Sequence, residues 1–115
     1  MKNVFLYKQR VVDEVKDEID INLNSIFEKI KSSKNLLKVD IEGSEYSIIE
    51  QINQNSSNIK MLIIEFHFIR SKKNLFTNSV KKLLNNFDII HLHANNYFNL
   101  ENNDTFFKVL EITFV

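Results

Sequence analysis

Apolar residues recur with helical spacing in three stretches of the chain. In the first and third stretches they follow the i, i+3, i+4, i+7 pattern of one face of an amphipathic helix, and in the second Tyr46, Ile49 and Ile52 share one face. The candidate N-caps are Asn22 or Asn24, Ser44, and Thr77 or Asn78. We therefore predict helices over NLNSIFEKI (22–30), SEYSIIEQI (44–52) and TNSVKKLLNN (77–86).

Four other stretches are short, apolar and typical of strands: LLKVDI (36–41), KMLIIEFHF (60–68), FDIIHLHAN (87–95) and FKVLEITFV (107–115). Strands that alternate with helices predict βαβ crossovers, and hence an α/β fold with a mainly parallel sheet and helices on both faces. The last strand follows a loop with no helix, so we expect it to return antiparallel. Part of VFLYKQRVVDEV (4–15) is predicted to be extended.

Each of the first three predicted strands begins apolar and becomes polar toward its carboxyl end. Side chains alternate between the two faces of a strand, so polar residues two apart share a face. Ligands of open parallel sheets bind outside the carboxyl ends of the strands. The pattern therefore predicts a binding site formed by three groups: Lys38, Asp40 and Glu42; Glu65 and His67; and His91, His93 and Asn95.

Gly43 is the only glycine of the chain, and it lies where the first predicted strand becomes a helix. A missing Cβ permits unusual dihedral angles and a close approach of the backbone to a ligand. Glu45 lies in the first turn of the predicted helix, where the helix dipole favours an acidic side chain. Alternatively, Gly43 only makes a tight turn, Asp40 and Glu42 are solvated, and Glu65 pairs with Lys38.

The histidines allow two kinds of chemistry. His67 with His91 or His93, together with a carboxylate from Asp40 or Glu42, is a ligand set for a divalent metal ion. The same imidazoles are candidate general bases. No histidine spacing matches a zinc signature.

Composition narrows the class of protein. The 115 residues amount to one domain, and a hydrophobic content of 43% suffices for a core. Fifteen basic and fifteen acidic residues cancel, which argues against nucleic acid and anionic membranes as partners. The absence of cysteine excludes disulfides and thiolate metal sites. With no apolar run near the roughly 20 residues of a membrane span and no signal-peptide core, we expect a cytoplasmic protein.

The sequence KVDIEGSE (38–45), followed by a predicted helix, resembles the motif K-[IV]-D-[IV]-E-G-x-E of FkbM-type methyltransferases. The resemblance continues through MLIIEFH, FDIIHLHANNY and VLEITFV, and so covers about residues 22–115, while the role of 1–21 is uncertain. It implies that residues 1–115 form a single partial domain. That domain would be the C-terminal half of the Rossmann-like class I fold, whose last strand is antiparallel.

The resemblance also implies a reaction: methyl transfer from S-adenosylmethionine to an oxygen or nitrogen of a sugar or other small metabolite. Asp40 or His67 would remove the proton of the acceptor as the catalytic residue, and Asn95 and Asn96 would hydrogen-bond the acceptor. The other motif residues would contribute to binding the small-molecule acceptor: Lys38, Glu42, Gly43, Glu45, Glu65, His91 and His93.

The sequence departs from this family in two respects. The family holds its cofactor by a glycine-rich first βα turn and by an acidic residue that ends the second strand, and this chain has neither, since one glycine cannot form a G-x-G loop. Three hypotheses follow: a truncated or split methyltransferase that is inactive alone and pairs with an N-terminal half, a non-catalytic binding or scaffold remnant, and a small metal-dependent α/β enzyme. In the second, the exposed edge of the strand containing Val39 is expected to mediate self-association.

Overall fold

A computed structural model describes residues 6, 8–95 and 108–115. In this part of the chain six strands and three α-helices follow one another in the order β1 (Arg10–Val11), β2 (Asp20–Ile21), α1 (Leu23–Lys29), β3 (Asn35–Val39), α2 (Ile49–Gln54), β4 (Ile59–Phe66), α3 (Lys73–Leu83), β5 (Ile89–Ala94) and β6 (Leu110–Phe114). The predicted mixed α/β architecture is confirmed. Among the described residues, no helix has the length and apolar character needed to cross a membrane.

The main sheet contains four strands in the order β3-β4-β6-β5. β3 pairs parallel with β4, whereas β6 pairs antiparallel with both β4 and β5. Three strands therefore run in one direction and the last strand runs in the other. Because β6 inserts between β4 and β5, two of the three neighbouring pairs are antiparallel. As a result, the carboxyl ends of β3, β4 and β5 and the amino end of β6 lie at one edge of the sheet.

Helix α1 starts as predicted, whereas α2 and α3 start at other residues than predicted. Asn22 caps α1 as one of the two predicted candidates, since its side chain accepts a hydrogen bond from the N–H of Ser25. The side chain of Ser44 makes no capping bond, and a 3-10 turn over Glu45–Ile48 precedes α2. α3 begins at Lys73, four residues before Thr77, so the predicted start was wrong. The earlier turn brings Phe76 against the core, where its ring meets that of Phe66 edge-on.

The core lies on one face of the sheet. Leu62, Ile64 and Phe66 of β4 and Ile112 and Phe114 of β6 are at most 2% exposed and form one cluster with buried residues of all three helices. The other face carries Leu36, which is 61% exposed, and no described helix contributes a residue to a core there. The prediction of helices on both faces is therefore wrong for the described residues.

The segment before α1 forms a small parallel pair that the sequence pattern revealed only in part. Arg10 in β1 binds the buried carboxylate of Asp20 in β2 at 2.7–2.8 Å. Burial raises the pKa of Asp20, but the N–H of Lys16 and the guanidinium outweigh burial, so this pKa lies below its ordinary value of 3.8. The side-chain amide of Gln51 in α2 donates hydrogen bonds to the carbonyls of Val12 at 3.3 Å and Asp13 at 3.2 Å, and so attaches this segment to the helical layer.

Candidate active site

The turn after β3 requires its glycine. Glu42 and Gly43 both have positive φ angles, 52° and 102°, which is a backbone conformation that L-residues avoid. A Cβ on Gly43 would lie only 2.6 Å from the ring of Phe68. The space beside Gly43 is thus filled by a side chain of the protein itself, and the glycine serves the tight turn and this close packing.

Glu45 fixes this turn to the end of β4. Its side chain is fully buried, and its two carboxylate oxygens accept hydrogen bonds from the N–H of Gly43 at 2.8 Å and from the N–H of His67 at 2.5 Å. A buried carboxylate with two backbone donors is well satisfied. This position corrects the expectation that Glu45 contacts the substrate, because no part of its side chain is exposed.

His67 is the centre of the polar cluster. Its side chain is 8% exposed, and its Nε2 lies 3.6 Å from Oδ1 of Asp40, 3.6 Å from Oε2 of Glu42 and 3.5 Å from Oε1 of Glu65. Its Nδ1 lies 3.4 Å from Oε1 of Glu45 and makes no hydrogen bond. The ends of β3 and β4 therefore bring together four carboxylates and one imidazole.

The cluster extends to the end of β5 through Asn95. The side-chain amide of Asn95 donates to Oε1 of Glu65 at 3.5 Å. The predicted neighbour Asn96 lies outside the described residues. The structure thus brings together residues from all three predicted groups: Asp40 and Glu42 from the first, Glu65 and His67 from the second, and Asn95 from the third.

Three predicted site residues lie elsewhere. Lys38 pairs with Glu111 of β6 at 3.4 Å, which corrects the alternative that it pairs with Glu65. His91 and His93 are exposed on β5, opposite Thr113 and Glu111 of β6. Because β6 lies between β5 and β4, these histidines are two strand spacings of about 4.8 Å each away from the polar residues of β4. The predicted combination of His67 with either of them in one ligand set is therefore wrong.

A cavity of about 650 Å³ opens beside His67. Four predicted residues line it, namely Glu42, Glu65, His67 and Asn95, with five that the sequence reasoning did not select: Phe68, Arg70, Ser71, Lys108 and Val109. The first three of these five follow β4 directly, so the rule that ligands bind beyond carboxyl ends of strands would have found them. The last two stand at the amino end of β6, and only its antiparallel insertion brings them to this edge.

Two further residues hold the backbone of the site in place. The hydroxyl of Tyr46 donates to the carbonyl of His67 at 2.6 Å. Burial and the charge of Glu45 raise the pKa of Tyr46 to about 12. The ammonium of Lys72 donates to the carbonyl of Gly43 at 3.1 Å, and it lies 5.2 Å from the centre of the Tyr46 ring. The site therefore rests on a fixed backbone, which is a condition for orienting a substrate.

The arrangement suits proton removal next to a bound small molecule. An imidazole and adjacent carboxylates are the usual general bases, and those of His67, Glu42 and Glu65 border the cavity. The wall of the cavity that contains Glu42 and Glu65 is acidic, and Arg70 and Lys108 add basic groups to its lining. Such a cavity can bind a polar acceptor and abstract a proton from it.

In the comparison with protein families, the model of the methyltransferase FkbM domain matches residues 3–105. Comparison with curated protein sequences and with solved structures gives no match. The family match covers most of the chain, including β3, β4, β5 and the cluster around His67. On this evidence the chain belongs to the FkbM methyltransferase domain family.

Proposed function

We propose that the site around His67 transfers a methyl group from S-adenosylmethionine to an oxygen or nitrogen of a sugar or other small metabolite. Membership of the FkbM methyltransferase domain family supports methyl transfer as the reaction class. The observation that carries the proposal is the convergence of Asp40, Glu42 and Glu65 on one imidazole nitrogen beside a cavity of about 650 Å³. The strand order, with β6 inserted antiparallel, agrees with the class I fold of such enzymes.

The residues at the site fit one end of the proposed cofactor. A sulfonium group is a cation, and the carboxylates of Glu42 and Glu65 with the ring of Phe68 offer it negative charge and an aromatic surface. The residues do not offer a glycine-rich turn for the rest of the cofactor, because Gly43 is the only glycine and packs under Phe68. We therefore expect these 115 residues by themselves to bind S-adenosylmethionine weakly and to be inactive alone.

In this proposal the cofactor supplies an electrophilic methyl group, and the residues of the chain prepare the acceptor. Asn95 and Glu65 hydrogen-bond the acceptor at the end of β5 and β4, where their side chains already meet. Asp40 or His67 then accepts the proton of the attacking hydroxyl or amine. Because the backbones around Gly43 and His67 are fixed by Glu45, the proton acceptor keeps its position during the reaction.

The test is transfer of a tritiated methyl group from S-adenosylmethionine to sugars, amines and a small-metabolite extract of the producing cells. The enzyme is the natural polypeptide that contains these 115 residues. We expect Asp40→Asn and His67→Gln to reduce transfer by about 10²- to 10⁴-fold, the usual contribution of a general base. The matched control His93→Gln, on exposed β5, retains the wild-type rate. Folded Asp40→Asn and His67→Gln variants with rates within a factor of two of wild type would refute the assignment.

The second candidate function is a binding module without catalysis, and the single glycine favours it. Its carboxylates and Asn95 would still hold a small polar ligand. Isothermal titration of the natural polypeptide with S-adenosylmethionine distinguishes the two functions. Saturable binding supports the methyltransferase, whereas acceptor binding without cofactor binding supports the module.

A further inference from the structure

We propose that Asp40, Glu42 and His67 form a binding site for one divalent transition-metal ion. Their ligand atoms lie within 4.8 Å of one another, on the two strand ends that border the cavity. Binding of the ion requires neither cofactor nor acceptor. Its use in methyl transfer, however, rests on the function proposed above.

The imidazole of His67 is the first reason for this assignment. Its side chain is 92% buried, as the complement of its 8% exposure, yet Nδ1 has no hydrogen-bond partner. Nε2 faces carboxylate oxygens of Asp40, Glu42 and Glu65 at 3.5–3.6 Å, which is beyond the 2.7–3.2 Å of a good N–H···O bond. Nε2 is the nitrogen that faces these carboxylates; it makes no short hydrogen bond to any of them, and a metal ion would give it a partner and join it to their oxygens.

The spacing of the ligand atoms is the second reason. Two ligand atoms at about 2.1 Å from one ion are about 3.0 Å apart at a right angle, about 3.4 Å apart at a tetrahedral angle and about 4.2 Å apart across the ion. Nε2 of His67 is 3.6 Å from the oxygens of both Asp40 and Glu42, and the three ligand atoms span no more than 4.8 Å. To hold an ion, the two Nε2–oxygen distances must shorten by about 0.2–0.6 Å, and the widest spacing by about 0.6 Å if those two atoms lie across the ion or about 1.4 Å at a tetrahedral angle.

Glu45 lies beside the other ring nitrogen of His67, opposite the proposed metal ligands. Its Oε1 lies 3.4 Å from Nδ1 of His67, on the side of the ring away from Asp40 and Glu42. A metal-bound histidine usually directs its other ring nitrogen to a carboxylate or carbonyl, which fixes the tautomer. A proton on Nδ1 beside Glu45 leaves the lone pair of Nε2 for the ion. A divalent ion also offsets the charge of the carboxylates gathered around this imidazole.

One imidazole with two carboxylates suits Mn²⁺ or Zn²⁺ better than Mg²⁺ or Ca²⁺, which prefer ligand sets of oxygen alone. The side chains of Asp40 and Glu42 are 44% and 82% exposed, so further coordination positions are open to water or to a hydroxyl of the acceptor. A bound hydroxyl loses its proton more readily because a metal ion lowers its pKa. With His67 and Asp40 coordinating the ion, the proton of the bound hydroxyl would pass to the carboxylate of Glu65, which borders the cavity and is not a ligand.

The test uses Mn²⁺ and the histidine signals of the chain, with no affinity tag present. The chain contains three histidines, so their imidazole C–H resonances can be followed individually by proton NMR, and His67→Gln assigns the one at the site. We expect substoichiometric Mn²⁺ to broaden the His67 resonance strongly and the His91 and His93 resonances weakly. Equal broadening of all three would show nonspecific surface binding and overturn the proposal.

Electron paramagnetic resonance of free Mn²⁺ supplies the stoichiometry and the affinity. We expect one ion per chain, displaced by one equivalent of Zn²⁺. Asp40→Asn and Glu42→Gln should weaken binding at least tenfold, and Glu45→Gln about 10- to 100-fold as an orienting residue. His93→Gln is the control and leaves binding unchanged. Absence of saturable binding by the folded wild-type chain up to about 1 mM refutes the site. Because neither measurement contains cofactor or acceptor, this result leaves the proposed methyl transfer untouched.

Discussion

Replacing Gly43 by alanine tests the account of the turn that joins β3 to the 3-10 turn before α2. Gly43 has a φ angle of 102°, and a Cβ built on it lies 2.6 Å and 2.7 Å from two ring atoms of Phe68. A residue with a Cβ costs about 1–2 kcal/mol in the left-handed region. The contact distance for two carbon atoms is about 3.5–4.0 Å, and overpacking of this kind costs about 1–3 kcal/mol.

The two contributions place the total loss for Gly43→Ala at about 2–4 kcal/mol, because the half-exposed ring of Phe68 can relieve part of the clash by moving. That loss is a large share of the 5–15 kcal/mol that stabilises a typical domain. Urea unfolding followed by far-ultraviolet circular dichroism measures the free energy of unfolding directly. Ser44→Ala is the matched control, since the exposed side chain of Ser44 makes no capping bond, and we expect it to change stability by less than about 0.5 kcal/mol.

The same substitution in a Phe68→Ala background separates strain from clash. Only the backbone cost of about 1–2 kcal/mol should remain there, so the coupling energy between the two positions should be about 1–2 kcal/mol. Gly43→Ala that is as stable as wild type would refute the strained turn. An equal loss in both backgrounds would refute the role of Phe68.

Three further predictions concern buried polar groups. Glu45→Gln should lower the free energy of unfolding by about 2–4 kcal/mol in the same urea assay, because its amide nitrogen would face a backbone N–H donor, and a loss below about 1 kcal/mol would contradict this. Tyr46 should ionise near pH 12, which is measured as the difference between the ultraviolet titrations of wild type and Tyr46→Phe. Since its pKa is raised from 10 by folding, its contribution to stability is complete below pH 10 and is lost as the pH rises toward 12; a difference titration with a midpoint near pH 10 would exclude the burial. The pKa of Asp20 is lowered, so its contribution is present above pH 3.8 and is lost in more acidic solution. Arg10→Met should therefore move the midpoint of acid unfolding to higher pH, as measured by circular dichroism. An unchanged midpoint would show that the ion pair does not contribute to stability.

The sequence predicted the part of the site that depends on strand direction alone. Polar residues at the ends of apolar strands identified Asp40, Glu42, Glu65, His67 and Asn95, and the structure brings these five together. Periodicity suffices here because parallel strands deliver their carboxyl ends to one edge whatever their order in the sheet. Helix α1 and its cap at Asn22 were predicted for a similar reason, since capping and the 3.6-residue period are local properties.

The tertiary structure decided the order of the strands in the sheet and the burial of individual side chains. The insertion of β6 between β4 and β5 separates His91 and His93 from His67 and brings Lys108 to the cavity, and no local pattern contains that order. In the sequence, Glu45 looks like an exposed acidic residue in the first turn of a helix. Packing instead buries it completely against two backbone N–H groups. The side of the sheet that the helices cover is likewise set by contacts between residues far apart in the chain. A sequence pattern fixes which face of an element is apolar, whereas the partner of that face is chosen by the packing of the whole domain.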